Sequence, residues 1–235
     1  EQRLWSAWRD CPSPRPAAKE IRECLAFHRE THRMLGRKPL YVDAGGCHGG
    51  LALAFRASGH AQQAVVADIY KPRSFENLQR AWTLDGACPD DVRHERTDLR
   101  NRTWLKALLD REGLCSDEVA VVGCHTCGVL ADEVLRLCLD AQVSFALMPC
   151  CHGEQGARGD NVKVLGTAFG ISRDGAYDLM RLGAIDATPG YMARVRTIDS
   201  SITPVNRILV GVRGSASDVS RWQASRASAL DRLAT

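Results

Sequence analysis

Two stretches of the chain hold residues whose types and spacing could do chemistry. The first runs from Leu40 to Phe55, where an apolar segment ends in Asp43 and is followed by Gly45, Gly46, Cys47, His48, Gly49 and Gly50. An acidic residue at a strand end with glycines after it lets the backbone turn tightly and approach a ligand, because glycine has no Cβ and tolerates positive φ. Dinucleotide-binding turns read G-x-G-x-x-G, whereas the spacing here is D-x-G-x-C-x-G. The second stretch is rich in cysteine and histidine: Gly123-Cys124-His125-Thr126-Cys127-Gly128, then Pro149-Cys150-Cys151-His152-Gly153. Three uses compete for it. Cys124 and Cys127 form Cys-x-x-Cys, which Cys150, Cys151 and His152 could complete as a tetrahedral zinc site, although adjacent cysteines are poorly spaced for one metal. His125 or His152 could orient or deprotonate an acceptor group, since imidazole titrates near neutrality. Cysteine also packs as a small buried hydrophobe. The favoured use is a pocket wall with a polar role and no metal.

The elements that must position these residues follow from periodicity. Residues Glu1 to Pro16 are polar and proline-rich, with Trp5 and Trp8 as anchors, and read as an extended arm. Ala17–Leu35 carries Ile21, Leu25, His28 and Leu35 at helical spacing, with Gly36 as a stop. Strands are predicted over Leu40–Ala44, Ala64–Ile69, Arg93–Thr97, Glu118–Gly123 and Val143–Met148, alternating with helices over Gly50–Ser58, Ser74–Thr83, Thr103–Asp110 and Asp132–Ala141. Such alternation predicts a parallel, doubly wound sheet. Gly153–Gly170 reads as a glycine-rich, charged loop, and a helix over Arg173–Leu182 follows it. Tyr191–Thr197 and Arg207–Val212 are strand-like with no helix between them, so they should pair antiparallel. A last helix is predicted over Asp218–Leu233. The fold class is therefore α/β: a Rossmann-like, doubly wound, seven-stranded sheet, mostly parallel with a C-terminal antiparallel hairpin. The predicted division is an arm over 1–16, one domain over 17–213 that includes a helix at 17–37 and a loop insertion at 153–172, and a C-terminal helix over 214–235.

Composition fits this plan. A chain of 235 residues that is 45% hydrophobic suffices for one α/β domain with a large core. It lacks a run of about 18 apolar residues, so no membrane span is predicted. Ten scattered cysteines look like reduced thiols rather than a disulfide framework. That points inside the cell, to the cytoplasm or an organelle matrix such as the mitochondrial one, and a first residue Glu1 rather than Met fits a trimmed or processed chain. Net charge is a mild +3, and arginine supplies 26 of the 31 basic residues. Arginine suits phosphate and base contacts, but the base composition of a gene produces the same bias.

In open α/β sheets, ligands bind outside the carboxyl ends of the strands. The first three strands end in Asp43, Asp68 and Asp98. Either of the last two could equally be a helix N-cap. Taken with the glycine turn, the pattern resembles the first motifs of class I S-adenosylmethionine-dependent methyltransferases. The resemblance implies that Asp43, Gly45 and Gly49 form the turn against the cofactor, that Asp68 accepts from its ribose hydroxyls, that Asp98 receives its adenine amino group, and that Cys124 borders the same cleft. The family's second glycine is Cys47 here, a side chain small enough to be tolerated.

The run GCHTCGVLADEVLRL followed by PCCHG resembles the eukaryotic transfer-RNA 2′-O-methyltransferases of the acceptor stem and the methyltransferase-like group related to them, over roughly residues 38 to 153. Gly153 stands where that family has a further histidine, and its zinc-binding modules have no counterpart. The resemblance implies a methyltransferase using S-adenosylmethionine and acting on ribosomal or transfer RNA, with His125, Cys151 and His152 as catalytic candidates. Cys151 is also the formal nucleophile candidate for methylation at carbon. Arg158, Lys163, Arg173 and the helix Ala17–Arg37 are candidate phosphate-holding surfaces. The alternative is a catalytically silent methyltransferase-like domain that serves as a binding or assembly module in a ribonucleoprotein.

Overall fold

A computed structural model describes residues 1–149, apart from 85 and 87, and residues 156–231. Cys150, Cys151 and His152 therefore lie outside the described residues. The chain runs α1 (Gln2–Asp10), α2 (Ala18–Leu35), β1 (Lys38–Ala44), α3 (Gly50–Ala57), β2 (Ala61–Asp68), α4 (Arg73–Thr83), β3 (Val92–Arg96), α5 (Trp104–Glu112), β4 (Val119–Gly123), α6 (Val129–Ala141) and β5 (Ser144–Leu147). It continues through α7 (Gly156–Phe169), α8 (Arg173–Ala187), β6 (Tyr191–Thr197), β7 (Arg207–Arg213) and α9 (Ala216–Asp231).

The strands form one seven-stranded sheet in the order β3-β2-β1-β4-β5-β7-β6. β1 to β5 are parallel, and β7 runs antiparallel to both β5 and β6. This is the predicted Rossmann-like, doubly wound sheet with its terminal antiparallel hairpin. Leu40 to Ala44 of β1 are buried without interruption, as a central parallel strand covered on both faces requires. One core gathers Phe27, Phe55, Phe75 and Trp82 with α1 to α4, and the other gathers Leu108, Val134, Leu137 and Ile185 with α5, α6 and α8. Strand order reverses between β1 and β4, which sets the ligand crevice beyond their carboxyl ends.

Two segments differ from the sequence-based expectation. Residues Gln2–Asp10 are helical rather than an extended arm, because Leu4 and Ala7 are spaced to share one buried helical face. The proline-rich residues after them are held by Asn77 of α4, whose Nδ2 donates to the Pro12 carbonyl at 3.3 Å and the Pro14 carbonyl at 2.9 Å. Gly156–Phe169, expected within a loop, is helix α7. It carries Gly156, Gly159 and Gly166 among polar and charged residues, and glycine is a poor helix former, so the segment reads as a loop in the sequence. Among the described residues no helix is long and apolar enough to cross a membrane.

Candidate functional site

The site is built at the end of β1. Asp43 lies between Val66 of β2 and Val122 of β4 and is almost fully enclosed. Its Oδ2 accepts the Ala52 backbone N–H at 3.0 Å, which clamps α3 to the strand, while Oδ1 has no partner among the described residues. Burial pushes the Asp43 carboxyl up to about 7. Beyond it the chain turns through left-handed backbone at Gly45 (φ +68°), Cys47 (φ +42°) and Gly49 (φ +75°), the last preceding the first turn of α3. Gly46 was not singled out from the sequence, yet a Cβ there would stand 2.3 Å from Asp43 Cγ, so no side chain fits.

Cys47 occupies a conformation that glycine adopts freely, at a cost of roughly 1–2 kcal/mol for a residue with a Cβ. Its N–H donates to Asp68 Oδ2 at 3.2 Å, tying the turn to the end of β2. Burial, then the nearby Asp68, Glu20 and Asp43 carboxylates, raise the Cys47 thiol to about 11, so it is protonated and not a nucleophile.

Beside the turn, which touches it through Asp68 and Leu130, lies a cleft of about 280 Å³ lined by Asp68, Ile69, Asp98, Arg100, Val129 and Leu130 among others. Asp68 Oδ1 accepts the Tyr70 N–H at 3.1 Å. Asp98 grips the Arg100 guanidinium at 2.7 to 3.1 Å, which holds its carboxyl down at about 2. Asp98 is thus ionised, with part of its acceptor capacity taken by Arg100. A Cβ on Gly45 would find only Leu130 Cδ2, at 3.5 Å. An open backbone face, two carboxylates at successive strand ends and the unpartnered Asp43 oxygen together fit a nucleoside cofactor that carries positive charge.

The end of β4 separates the candidates assigned to it. Cys124 is buried in the core, where hydrogen bonding to Cys24 of α2, with burial, keeps its thiol protonated. Expected at the border of the cofactor cleft, it is not among the residues that line the cleft described above. His125 follows, half-buried, with Nε2 only 3.3 Å from Glu23 Oε2 of α2, an ion-pair contact off the axis of a good hydrogen bond. The Glu23 carboxylate raises the imidazole above its usual value against the opposing effect of burial, helped by Glu20 and Asp43. Burial pushes Glu23 up, but His125, Lys19 at 3.5 Å and the Thr203 hydroxyl together hold it below its usual value. Cys127 is disulfide-bonded, unlike the free thiols expected of all ten cysteines and found at the seven other described ones. Among the described residues no three of His, Cys, Asp and Glu are arranged to hold a metal ion.

Sequence reasoning missed Glu23. One signal could have found it: Glu20, Glu23 and Phe27 share a helical face, so an acid falls on the buried side of α2.

No family model matches the chain, and no curated protein matches it. Solved structures resemble it at low identity. A Corynebacterium glutamicum protein aligns with a TM-score of 0.51 at 11% identity, covering 92% of this chain and 92% of that one. The M. capricolum TrmK bound to S-adenosyl-homocysteine aligns with a TM-score of 0.45 at 8% identity, over 84% and 68% of the two chains. The B. subtilis m1A22 tRNA methyltransferase TrmK aligns with a TM-score of 0.45 at 12% identity, over 87% and 69%. Several of the similar structures are therefore S-adenosylmethionine-dependent methyltransferases, and what the likeness establishes for this chain is the fold.

Proposed function

We propose that this chain is an S-adenosylmethionine-dependent methyltransferase acting on RNA. The observation that carries this reading is the turn at the switch point, where Gly45 to Gly49 follow the end of β1 and the Cys47 N–H ties them to Asp68, which with Asp98 lines the adjoining cleft. Asp68 and Asp98 would hold the cofactor's ribose and adenine, and the bare backbone at Gly45 would make room for it, while Gly49 shapes the turn by admitting the Phe75 ring beneath it. Asp43, ionised as a cation approaches, would attract the positive end of the molecule. When bound, the cofactor supplies a methyl group activated on a sulfonium. The chain's own contribution is to align the acceptor and keep water out, since orientation supplies most of the rate in such a transfer.

RNA as acceptor rests on the resemblance of the GCHTCG and PCCHG segments, in which His125, Cys151 and His152 would meet the acceptor and Arg158, Lys163 and Arg173 would hold phosphates. A site of action inside the cell belongs to the same proposal. The silent-scaffold alternative has nothing in its favour among the described residues, because Cys47, the departure that motivated it, keeps the turn closed.

Calorimetric titration with S-adenosylmethionine tests the reading. Saturable binding is expected, weakened by about 1.5–3 kcal/mol in Asp68→Ala, the range for hydrogen bonds to a charged group. Absence of binding by the unmutated chain overturns it.

A further inference from the structure

Glu23 stands out as a buried group without a task in the binding of cofactor. Its side chain keeps only 2% of its surface exposed, on a helix that precedes the whole alternating sheet. A lone buried carboxylate is costly, so its partners define its purpose. They come from three elements: Lys19 of α2, His125 after β4 and Thr203 between β6 and β7.

His125 presents the complementary situation. Its side chain keeps 38% of its surface exposed, yet Nε2 is enclosed and faces Glu23. An imidazole whose Nε2 lies 3.3 Å from a carboxylate favours the proton on that nitrogen, which puts the lone pair of the neutral ring on Nδ1, the nitrogen left for a substrate. The other charged or titratable groups acting on this imidazole are Glu20 of α2 and Asp43 of β1, both acidic. Glu20 is itself engaged by the Ala17 N–H at 2.8 Å and lies 3.7 Å from His48 Nε2.

We infer that Glu23 is the positioning residue of a Glu23–His125 dyad in which His125 Nδ1 accepts the proton of the methyl acceptor, so the acceptor is a hydroxyl or an N–H group rather than a ring nitrogen with a free lone pair. This rests on the methyltransferase reading above. As the acceptor atom bonds to the methyl carbon, its proton passes to Nδ1, and the electron pair of the breaking carbon–sulfur bond stays on the sulfur of the sulfonium donor. The imidazolium, stabilised by Glu23, then returns the proton to solvent. A ring nitrogen with its own lone pair needs no such base, and a carboxylate held behind the imidazole would be idle for it.

Two measurements on the full chain test the dyad. In carbon-13 NMR of the cofactor-free protein, His125 should titrate above 6.5, and Glu23→Gln should lower its midpoint by at least one pH unit while Glu23→Asp retains most of the rise. The unmutated chain alone decides this part should Glu23→Gln fail to fold: a His125 midpoint at or below 6.5 overturns the dyad. The second measurement is transfer of tritiated methyl groups to bulk cellular RNA as a function of pH. Its kcat should rise with pH through the His125 midpoint and fall at least tenfold in Glu23→Gln while Glu23→Asp retains most of it, with KM for S-adenosylmethionine within twofold. A pair with a structural role alone moves the NMR midpoint and leaves the pH profile and kcat in place, which overturns the catalytic assignment. Failure of the methyltransferase reading is separable, because the unmutated chain would then bind no cofactor while the NMR shift persisted.

Discussion

Helix α2 runs from the cofactor end of the sheet to the opposite end, and its two halves treat histidine in opposite ways. At the cleft, Glu20 and Glu23 face His48 and His125, and Glu23 draws the His125 imidazole toward the charged form. At the far end, His28 stacks on His32 with ring centroids 4.8 Å apart, and His60 meets both edge to face. Among the described residues no carboxylate pairs with that cluster. Ser58 donates to the Phe55 carbonyl, so His28 Nε2 at 2.8 Å and His60 Nδ1 at 3.0 Å must both donate to the Ser58 oxygen. Burial, then the neighbouring His32 and His60, push His28 down to about 3, and burial also lowers His60. What differs is the partner: a buried carboxylate holds a histidine toward the charged form, and burial beside other imidazoles holds it neutral.

The largest effect that breaks this comparison comes from adding one methyl group at each end. Gly46→Ala would drive a Cβ into the Asp43 carboxyl and should cost about 3 kcal/mol or more and abolish cofactor binding. Gly59→Ala, at φ +72° with nothing within 4 Å, should cost only about 1–2 kcal/mol and leave binding intact. Urea melts and titration calorimetry of the two variants read both outcomes. Equal losses would remove the distinction between a tightly built cleft and a tolerant far end.

Acid separates the two ends next. His28 has its folded value depressed from 6.5 to about 3, so the unfolded chain binds its proton first as pH falls. Its stabilising contribution is whole above 6.5 and is lost between 6.5 and about 3, by up to about 1.4 kcal/mol per pH unit. His125 has the opposite sign: its contribution is whole below 6.5 and is lost as pH rises through its raised folded value. Replacement of His28 by phenylalanine should therefore flatten the decline of stability from pH 6.5 to 5, measured by urea melts, whereas His125→Gln should leave that decline in place.

Asp43 predicts a smaller effect on binding. Its carboxyl, raised to about 7, is largely protonated at pH 6 and largely ionised at pH 8. Affinity for S-adenosylmethionine should rise roughly tenfold between those values, with proton release detectable in buffers of differing ionisation heat. Affinity independent of pH would show that Asp43 does not meet the positive end of the cofactor. The smallest effect belongs to Cys47→Gly, where relief of left-handed strain is offset by the greater freedom of glycine in the unfolded chain, leaving stability within about 1 kcal/mol.

The sequence was legible where one element decides the outcome. The apolar run into Asp43 and the glycines after it announced a strand, a turn and a helix, and the alternation through β5 announced a doubly wound sheet. Glu23 was hidden because the partner that explains it, His125, lies on a different element and meets α2 only once the sheet is built. Gly46 was hidden for a related reason: its constraint is the Asp43 side chain folded back beneath it, which motif spacing does not encode. The surroundings of Cys124 were hidden likewise, since its neighbour Cys24 lies on a helix that precedes the sheet.

The central claim meets its most direct test in one incubation: the chain with methyl-tritiated S-adenosylmethionine and bulk cellular RNA, followed by separation of RNA from protein. The account predicts ribonuclease-sensitive label in the RNA fraction, lost in Asp68→Ala. No label in RNA with the chain present in equimolar amount, or label confined to protein, would contradict it.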